Sequence, residues 1–292
     1  MNIDDDTVLN MDATCFTTID RWILSRSNHL IDEVTTNMDK YELGIAASKI
    51  YDFTWNEFCD WYIEFVKSRL NGENFQSKNT ACATLVFVLK NTLKLLHPFI
   101  PFITEEIYSH LPNTKGAIII AQWPEVNNDF NYPKEEKQIN YLMDVIRNLR
   151  KIRKEADIPN RKKAELYVTT KNKMYLTLLQ SSLPILNKMA SVSKIVALDL
   201  DQVRDDFSSA VIEESTIYLC MDDLVDTEKE VERLENEQKK LEKELQRTNS
   251  KLSNEKFLNK APQAVVQKEK EKQEVNYEKL KQIVERLKHF KK

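Results

Sequence analysis

The amino-acid sequence predicts a mainly α-helical protein in three parts: an antiparallel helical bundle, a small α/β module and a C-terminal antiparallel coiled-coil hairpin. Three observations predict it. The 292 residues are 30% charged yet hold only 3 Gly and 8 Pro, a balance that suits long solvated helices better than a turn-rich β fold. Apolar residues recur at helical spacing through residues 18–157. Heptads run through residues 225–292. A hydrophobic content of 41% is enough for a core.

Residues 1–17 are acidic and irregular and read as a linker. In the bundle, 18–157, Ile19, Trp22, Ile23, Ile31 and Val34 mark one amphipathic stripe. A second helix begins near Leu43 and runs through Phe53, Phe58, Trp61 and Val66. A third spans about Ser77–Leu96 and stops at Pro98 and Pro101, because proline lacks the N–H and clashes with the preceding turn. Thr104-Glu105-Glu106 is expected to cap a short helix through Leu111. A last helix covers about Lys134–Ala156. Of the aromatic run 51–65, Phe58, Trp61, Tyr62 and Phe65 fall at core spacing, while Tyr51 and Trp55 are left open between core and surface.

The period changes in the module, 158–224. Ala164–Thr170, Lys194–Leu198 and Ala210–Met221 read as strands and Lys173–Ala190 as a helix. In the arm, 225–292, Leu224, Val231, Gln238, Leu245 and Leu252 share one heptad position, and Thr227, Leu234, Leu241 and Thr248 the other. Past a non-periodic insert, Val266, Gln273, Leu280 and Leu287 pair with Tyr277 and Val284. Pro262 suits the first turn of the returning helix. A return helix of about 30 residues projects roughly 45 Å, too far to serve a core.

Net charge is −3, so attraction to nucleic acid has to be local. Residues 147–163 carry eight Lys or Arg against two acids, and 226–292 carry 18 against 14, leaving 1–225 at −7. Arg147, Arg150 or Lys151, and Lys154 recur at i, i+3, i+4 and line one helix face. Such a face suits a phosphate backbone, although a solvated basic helix gives the same pattern. At the arm tip, Lys251, Lys256 and Lys260 flank Phe257. This arrangement fits base stacking, or simply closure of the hairpin's apolar end.

Catalytic patterns are missing. Gly44, Gly72 and Gly116 are isolated and form no phosphate loop. Cys15, Cys59, Cys82 and Cys220 make no C-x-x-C, and the four histidines show no zinc spacing, so no metal site is expected. Asp60 with Glu64, and Glu105 with Glu106, read as solvated or capping acids. The first 20 residues hold five aspartates and no Lys or Arg, unlike a leader peptide. Leu85–Ile103 is broken by charge and proline and does not read as a membrane span.

Residues 20–26 (D-R-W-I-L-S-R), 55–63 (W-N-E-F-C-D-W-Y-I) and 93–106 (L-K-L-L-H-P-F-I-P-F-I-T-E-E) resemble the helical anticodon-binding domain of class I valyl-tRNA synthetases. Residues 147–155 (R-N-L-R-K-I-R-K-E) resemble its last helix, and 251–266 (K-L-S-N-E-K-F-L-N-K-A-P-Q-A-V-V) the tip and return of the family's coiled-coil arm. Isoleucyl and leucyl enzymes share similar bundles but lack this hairpin. The family's catalytic signatures and its editing domain find no counterpart; Lys188–Lys194 only mimics the nucleotide-binding loop.

The resemblance implies a tRNA-binding region that supports ATP-dependent charging of tRNA with valine. Its partner would be tRNA(Val), as a monomer in the cytoplasm. No cofactor is expected in this chain, ATP and magnesium belonging to the catalytic domain. Arg21, Arg26 and Lys49 are candidates for the anticodon stem-loop, Arg21 and Arg26 equally for internal ion pairs. Arg147, Arg150, Arg153 and Lys154 are candidates for stem phosphates. Lys251, Lys256, Phe257 and Lys260 are candidates for the tRNA elbow. A helical or coiled-coil scaffolding protein, or the equivalent region of a related isoleucyl or leucyl synthetase, is the competing reading.

Overall fold

The structure is a computed structural model. It describes residues 11, 13–114, 116–156, 158, 159, 161–199, 202, 207–220, 227–253, 266–269, 273, 274, 276, 277, 280, 281, 283 and 284. Two compact units divide the chain: Met1–Arg150 with Thr170–Ala190 and Val211–Thr216, and Lys151–Thr169 with Ser191–Ala210 and Ile217–Lys292.

In the first unit, α1 (Thr18–Asp39) starts at a capping box in which the Thr17 side chain accepts from Asp20 N–H and Asp20 accepts from Thr17 N–H. These contacts satisfy donors a helix start otherwise leaves bare. Trp22, Ile23, Leu24, Leu30, Ile31 and Val34 are buried. Phe16 is buried too, edge-on to Phe130 at 6.4 Å. The presumed linker therefore ends earlier than position 17, because an aromatic ring there gains more from the core than from water.

The second predicted helix is one continuous rod with a change of pitch: α2 (Leu43–Asp52), a π-helical stretch (Phe53–Ile63) and α3 (Glu64–Leu70). Phe53 and Phe58, five residues apart, both face inward, a spacing that one i→i+5 turn accommodates. Phe58, Trp61, Tyr62 and Phe65 are buried as expected, whereas Tyr51 and Trp55 are exposed with rings 6.3 Å apart. After α4 (Phe75–Leu96), capped by Asn74, the chain turns at Pro98 and α5 (Pro101–Ser109) begins with proline at its first turn. The expected Thr104 cap is corrected here. Proline supplies the start, and Thr104 lies inside the helix, its hydroxyl donating back to Ile100 O at 2.9 Å and meeting His97 Nδ1 at 2.8 Å. The long loop before α6 (Pro133–Glu155) is held to α1 by Asn28, which donates to Asn127 O (3.0 Å) and accepts from Asn127 N–H (2.7 Å).

At the centre of this unit sits Asp20, with no solvent exposure. Its carboxylate accepts from Arg69 Nη1 at 2.7 and 2.8 Å, Tyr62 OH at 2.9 Å, and Thr17 N–H at 3.0 Å. Arg69 also donates to the Ser77 hydroxyl and carbonyl, both at 3.0 Å. Burial, and then the Asp20 charge, push the Tyr62 phenol well above its ordinary pKa, so it stays a donor.

The module is a four-stranded sheet in the order β2-β1-β4-β3. β1 (Ala164–Thr170) pairs in parallel with β2 (Val192–Ala197), Leu166 opposite Ile195. Parallel strands need a crossover, here α7 (Lys173–Ser181) and α8 (Leu183–Ala190), two helices where one was expected. Ala210–Met221, read as one strand, is instead split between β3 (Phe207–Ile212) and β4 (Ser215–Cys220). They turn at Glu213, whose φ of 47° is left-handed.

The arm begins with α9 (Thr227–Leu252). Leu245 and Thr248 are buried, as are Asn276 and Ile283 on the returning segment. Lys251 with Glu269 (2.9 Å), Asn249 with Gln273 (2.6 Å) and Glu244 with Asn276 (3.3 Å) fix an antiparallel register. The partner heptad position is therefore Asn276 and Ile283 rather than Tyr277 and Val284. Tyr277 is 66% exposed, since it lies one step round the helix from the seam. Leu224 and Leu287 lie outside the described residues, and so do the side chains of Thr227, Val231 and Leu234.

Removing one member of a buried ion pair strands its partner, at a cost of about 3–5 kcal/mol. Asp20→Ala should therefore lower the urea unfolding free energy by about that much. A loss below about 1 kcal/mol would show that Arg69 finds other partners.

Candidate nucleic-acid interface

The cationic candidates divide by what holds them. Arg26, on α1, makes a two-pronged contact to Glu57 (Nε at 2.7 Å, Nη2 at 2.9 Å) and reaches Glu136 at 3.7 Å. The hydrogen bond to Glu57 raises its pKa further. Arg21 pairs with Glu135 at 3.5 Å and lies over the Tyr132 ring at 5.8 Å. Both arginines are thus engaged in ties between α1 and other parts of the bundle. Lys49 forms a half-exposed pair with Glu33 at 3.1 Å.

On α6 the helical face separates as its spacing implies. Arg147, Arg150, Lys151 and Lys154 are exposed. Arg147 is braced by Asp144 at 2.8 Å and lies over the Trp61 ring at 5.1 Å. Arg150 also lies over Trp61, at 6.0 Å, and its Nε donates to Met189 O at 2.9 Å. Such guanidinium–indole contacts contribute about 0.5–2 kcal/mol and hold the cations outward.

Arg153 differs from its neighbours. It is only 3% exposed, and its Nη2 donates to the carbonyls of Pro159 (3.0 Å) and Lys162. Nε and Nη1 find no partner among the described residues, and burial lowers its pKa. A buried guanidinium cannot follow stem phosphates, so Arg153 is corrected from a surface contact to an anchor for the turn after α6. At the arm, Lys251 is half exposed and paired with Glu269; Lys256, Phe257 and Lys260 lie outside the described residues.

The sequence left Tyr51 and Trp55 open between core and surface, and the outward placing of Tyr41, Leu43 and Ile45 was not expected from it. Tyr41 is 88% exposed with φ of 60°, and Leu43, Ile45, Tyr51 and Trp55 are also exposed. A row of large apolar side chains in water marks a contact surface. The signal in the sequence was Tyr41-Glu42-Leu43-Gly44-Ile45, apolar at alternate positions where a helix would bury every third or fourth.

Among the described residues no set of His, Cys, Asp and Glu converges as a metal site, and no helix is long and apolar enough to cross a membrane. Among the described residues no disulfide joins the four cysteines. Replacing Arg153 tests its corrected place. Arg153→Ala should cost about 1–3 kcal/mol in urea unfolding through its lost hydrogen bonds, while Lys154→Ala stays within about 0.5 kcal/mol. Equal effects would place the two side chains alike.

Residues 20–168 match the family described as the anticodon-binding domain of tRNA ligase. Residues 226–291 match the valyl tRNA synthetase tRNA binding arm. The valine–tRNA ligase of Clostridium perfringens is 44% identical over 277 residues, covering 94% of this chain and 31% of that protein. That of Carboxydothermus hydrogenoformans is 43% identical over 272 residues, 93% of this chain and 31% of its own length. That of Oceanobacillus iheyensis is 38% identical over all 292 residues, 33% of its length. The chain thus spans about a third of the length of these relatives. It belongs to the anticodon-binding domain family of tRNA ligases, and its last part resembles the tRNA-binding arm of the valyl type.

Proposed function

We propose that this chain grips tRNA(Val) at two places so that a valine–tRNA ligase can charge it. The bundle takes the anticodon stem-loop and the arm takes the tRNA elbow. ATP and magnesium serve the ligase's catalytic domain, and the assembly works as a monomer in the cytoplasm. The observation that carries the bundle's part is the exposure of Tyr41, Leu43, Ile45, Tyr51 and Trp55 within one short stretch, the Tyr51 and Trp55 rings 6.3 Å apart. Proteins read RNA mostly at unpaired loops, whose bases stack on aromatic side chains. Outward-held Arg147, Arg150 and Lys154 supply the cations that the adjoining stem phosphates need.

Filter retention of tRNA(Val) over a salt series tests the reading. Affinity should fall with salt by just under one log unit per log unit for each phosphate contact. Arg150→Ala and Lys154→Ala should each lower that slope by about one. Tyr41→Ala should weaken binding by about 1–3 kcal/mol and leave untouched a tRNA whose anticodon loop has been removed. No retention at low salt, or equal loss with and without the loop, would overturn the proposal.

A further inference from the structure

A cleft of about 690 Å³ lies within the first unit, inside the roughly 300–1,000 Å³ range of small-ligand sites. One side is acidic. Asn56, Asp60 and Glu64 project at four-residue intervals from the π-helical stretch and the start of α3. The other side is cationic, formed by Arg147 and Arg150 of α6 and Lys188 of α8. Trp61 lies beneath, buried under the two guanidiniums. Asp60 and Lys188 are exposed and make no ion pair with any described residue. The cleft also sits on the one π-helical element among the described residues, and such elements appear frequently at functional sites.

The charges restrict what fits. A simple anion meets Asp60 and Glu64, and a cationic peptide meets three positive side chains. The occupant has to present hydrogen-bond donors to the carboxylates and negative charge to the guanidiniums. An ionised carboxylate only accepts hydrogen bonds. Of the four bases, guanine alone offers two adjacent donors, N1–H and N2–H, to both oxygens of one carboxylate. Adenine and cytosine place an acceptor beside their amino group, and uracil flanks its single donor with carbonyls. Guanidinium planes braced over an indole give the base a stacking surface, and Lys188 gives its phosphate a counter-charge.

We propose that this cleft binds a guanosine nucleotide unit, with Asp60 reading the Watson–Crick edge, Arg150 stacking on the base and Lys188 holding the phosphate. The reading of the chain as an RNA binder supplies one source of that unit, a guanosine in an RNA strand, and the proposal rests on it to that extent. A free guanine nucleotide presents the same chemistry.

Calorimetric titration of the whole chain with 5′-GMP, 5′-AMP, inorganic phosphate and L-valine tests this. A parallel titration uses two short single-stranded RNAs that differ by one G-to-A change. GMP or the G-containing RNA should bind about tenfold or more tightly than its adenine counterpart. Asp60→Asn should bring the two within about twofold while the circular dichroism spectrum is unchanged. Lys188→Ala should weaken guanine and adenine ligands alike. Preference in the RNA pair alone assigns the site to a strand, and preference in the mononucleotides alone to a free nucleotide; both support the chemistry. Equal binding of G and A ligands, saturation by phosphate or valine at the GMP affinity, or a guanine preference that survives Asp60→Asn would overturn it. Retention of tRNA(Val) with no guanine preference defeats this inference and spares the tRNA reading; guanine preference with no tRNA retention does the reverse.

Discussion

The pairing of Asp20 with Arg69 is the constraint from which the bundle is built. An unpaired charge with no solvent exposure is untenable in a protein core, because the desolvation penalty is several kcal/mol per ion. Asp20 escapes it by accepting from Arg69, Tyr62 and Thr17 at once. Each donor comes from a different stretch: α3, the π-helical stretch and the cap of α1. Arg69 extends the tie to Ser77 at the start of α4. These segments are fixed to one point, and the hydrophobic face of α1 fills in around it. Phe53, Phe58, Trp61 and Tyr62 of the π-helical stretch then sit inward, and Tyr51 and Trp55 are left on the far side of the same rod.

That arrangement allots the positive charges. Four arginines, Arg21, Arg26, Arg69 and Arg153, are held by carboxylates or carbonyls inside their own unit. Arginine suits this because its planar fork matches two oxygens at once. Arg147, braced by Asp144, Arg150, braced by the Met189 carbonyl, and Lys154 face outward on α6, toward a partner. Net charge could not reveal the division, since inward and outward guanidiniums count alike. The unpaired acid of the cleft, Asp60, matters for the same reason: what carries chemistry is the charge that the fold leaves unanswered.

The long elements were legible because periodicity over many turns outweighs local noise. The α1, α4 and α6 helices, strand β1 and the α9 heptad positions Leu245 and Thr248 lie where their apolar spacing places them. Departures occur where one side chain decides. Thr104 has the composition of a cap, but Pro101 starts the helix first. Glu213 takes a left-handed turn that composition does not announce. Tyr277 is apolar enough for a seam, yet the register set by Lys251 and Glu269 gives that place to Asn276. The site was legible in part. The basic face of α6 followed from i, i+3, i+4 spacing, and the same spacing sets Arg153 apart, four residues after Leu149 and seven after Ile146, both buried. The apolar row from Tyr41 to Trp55 was legible as aromatic residues and not as a surface, because burial is settled by the neighbours that a helix meets.

The proposal is of two grips on one RNA, one by a bundle with outward aromatics and cations and one by the arm. Hydroxyl-radical footprinting of tRNA(Val) with this chain measures that directly. Two separated zones of protection are predicted, one over the anticodon loop and adjoining stem and one at the elbow, with Tyr51→Ala erasing only the first. A single continuous footprint away from the anticodon loop, or uniform protection along the molecule, would contradict it.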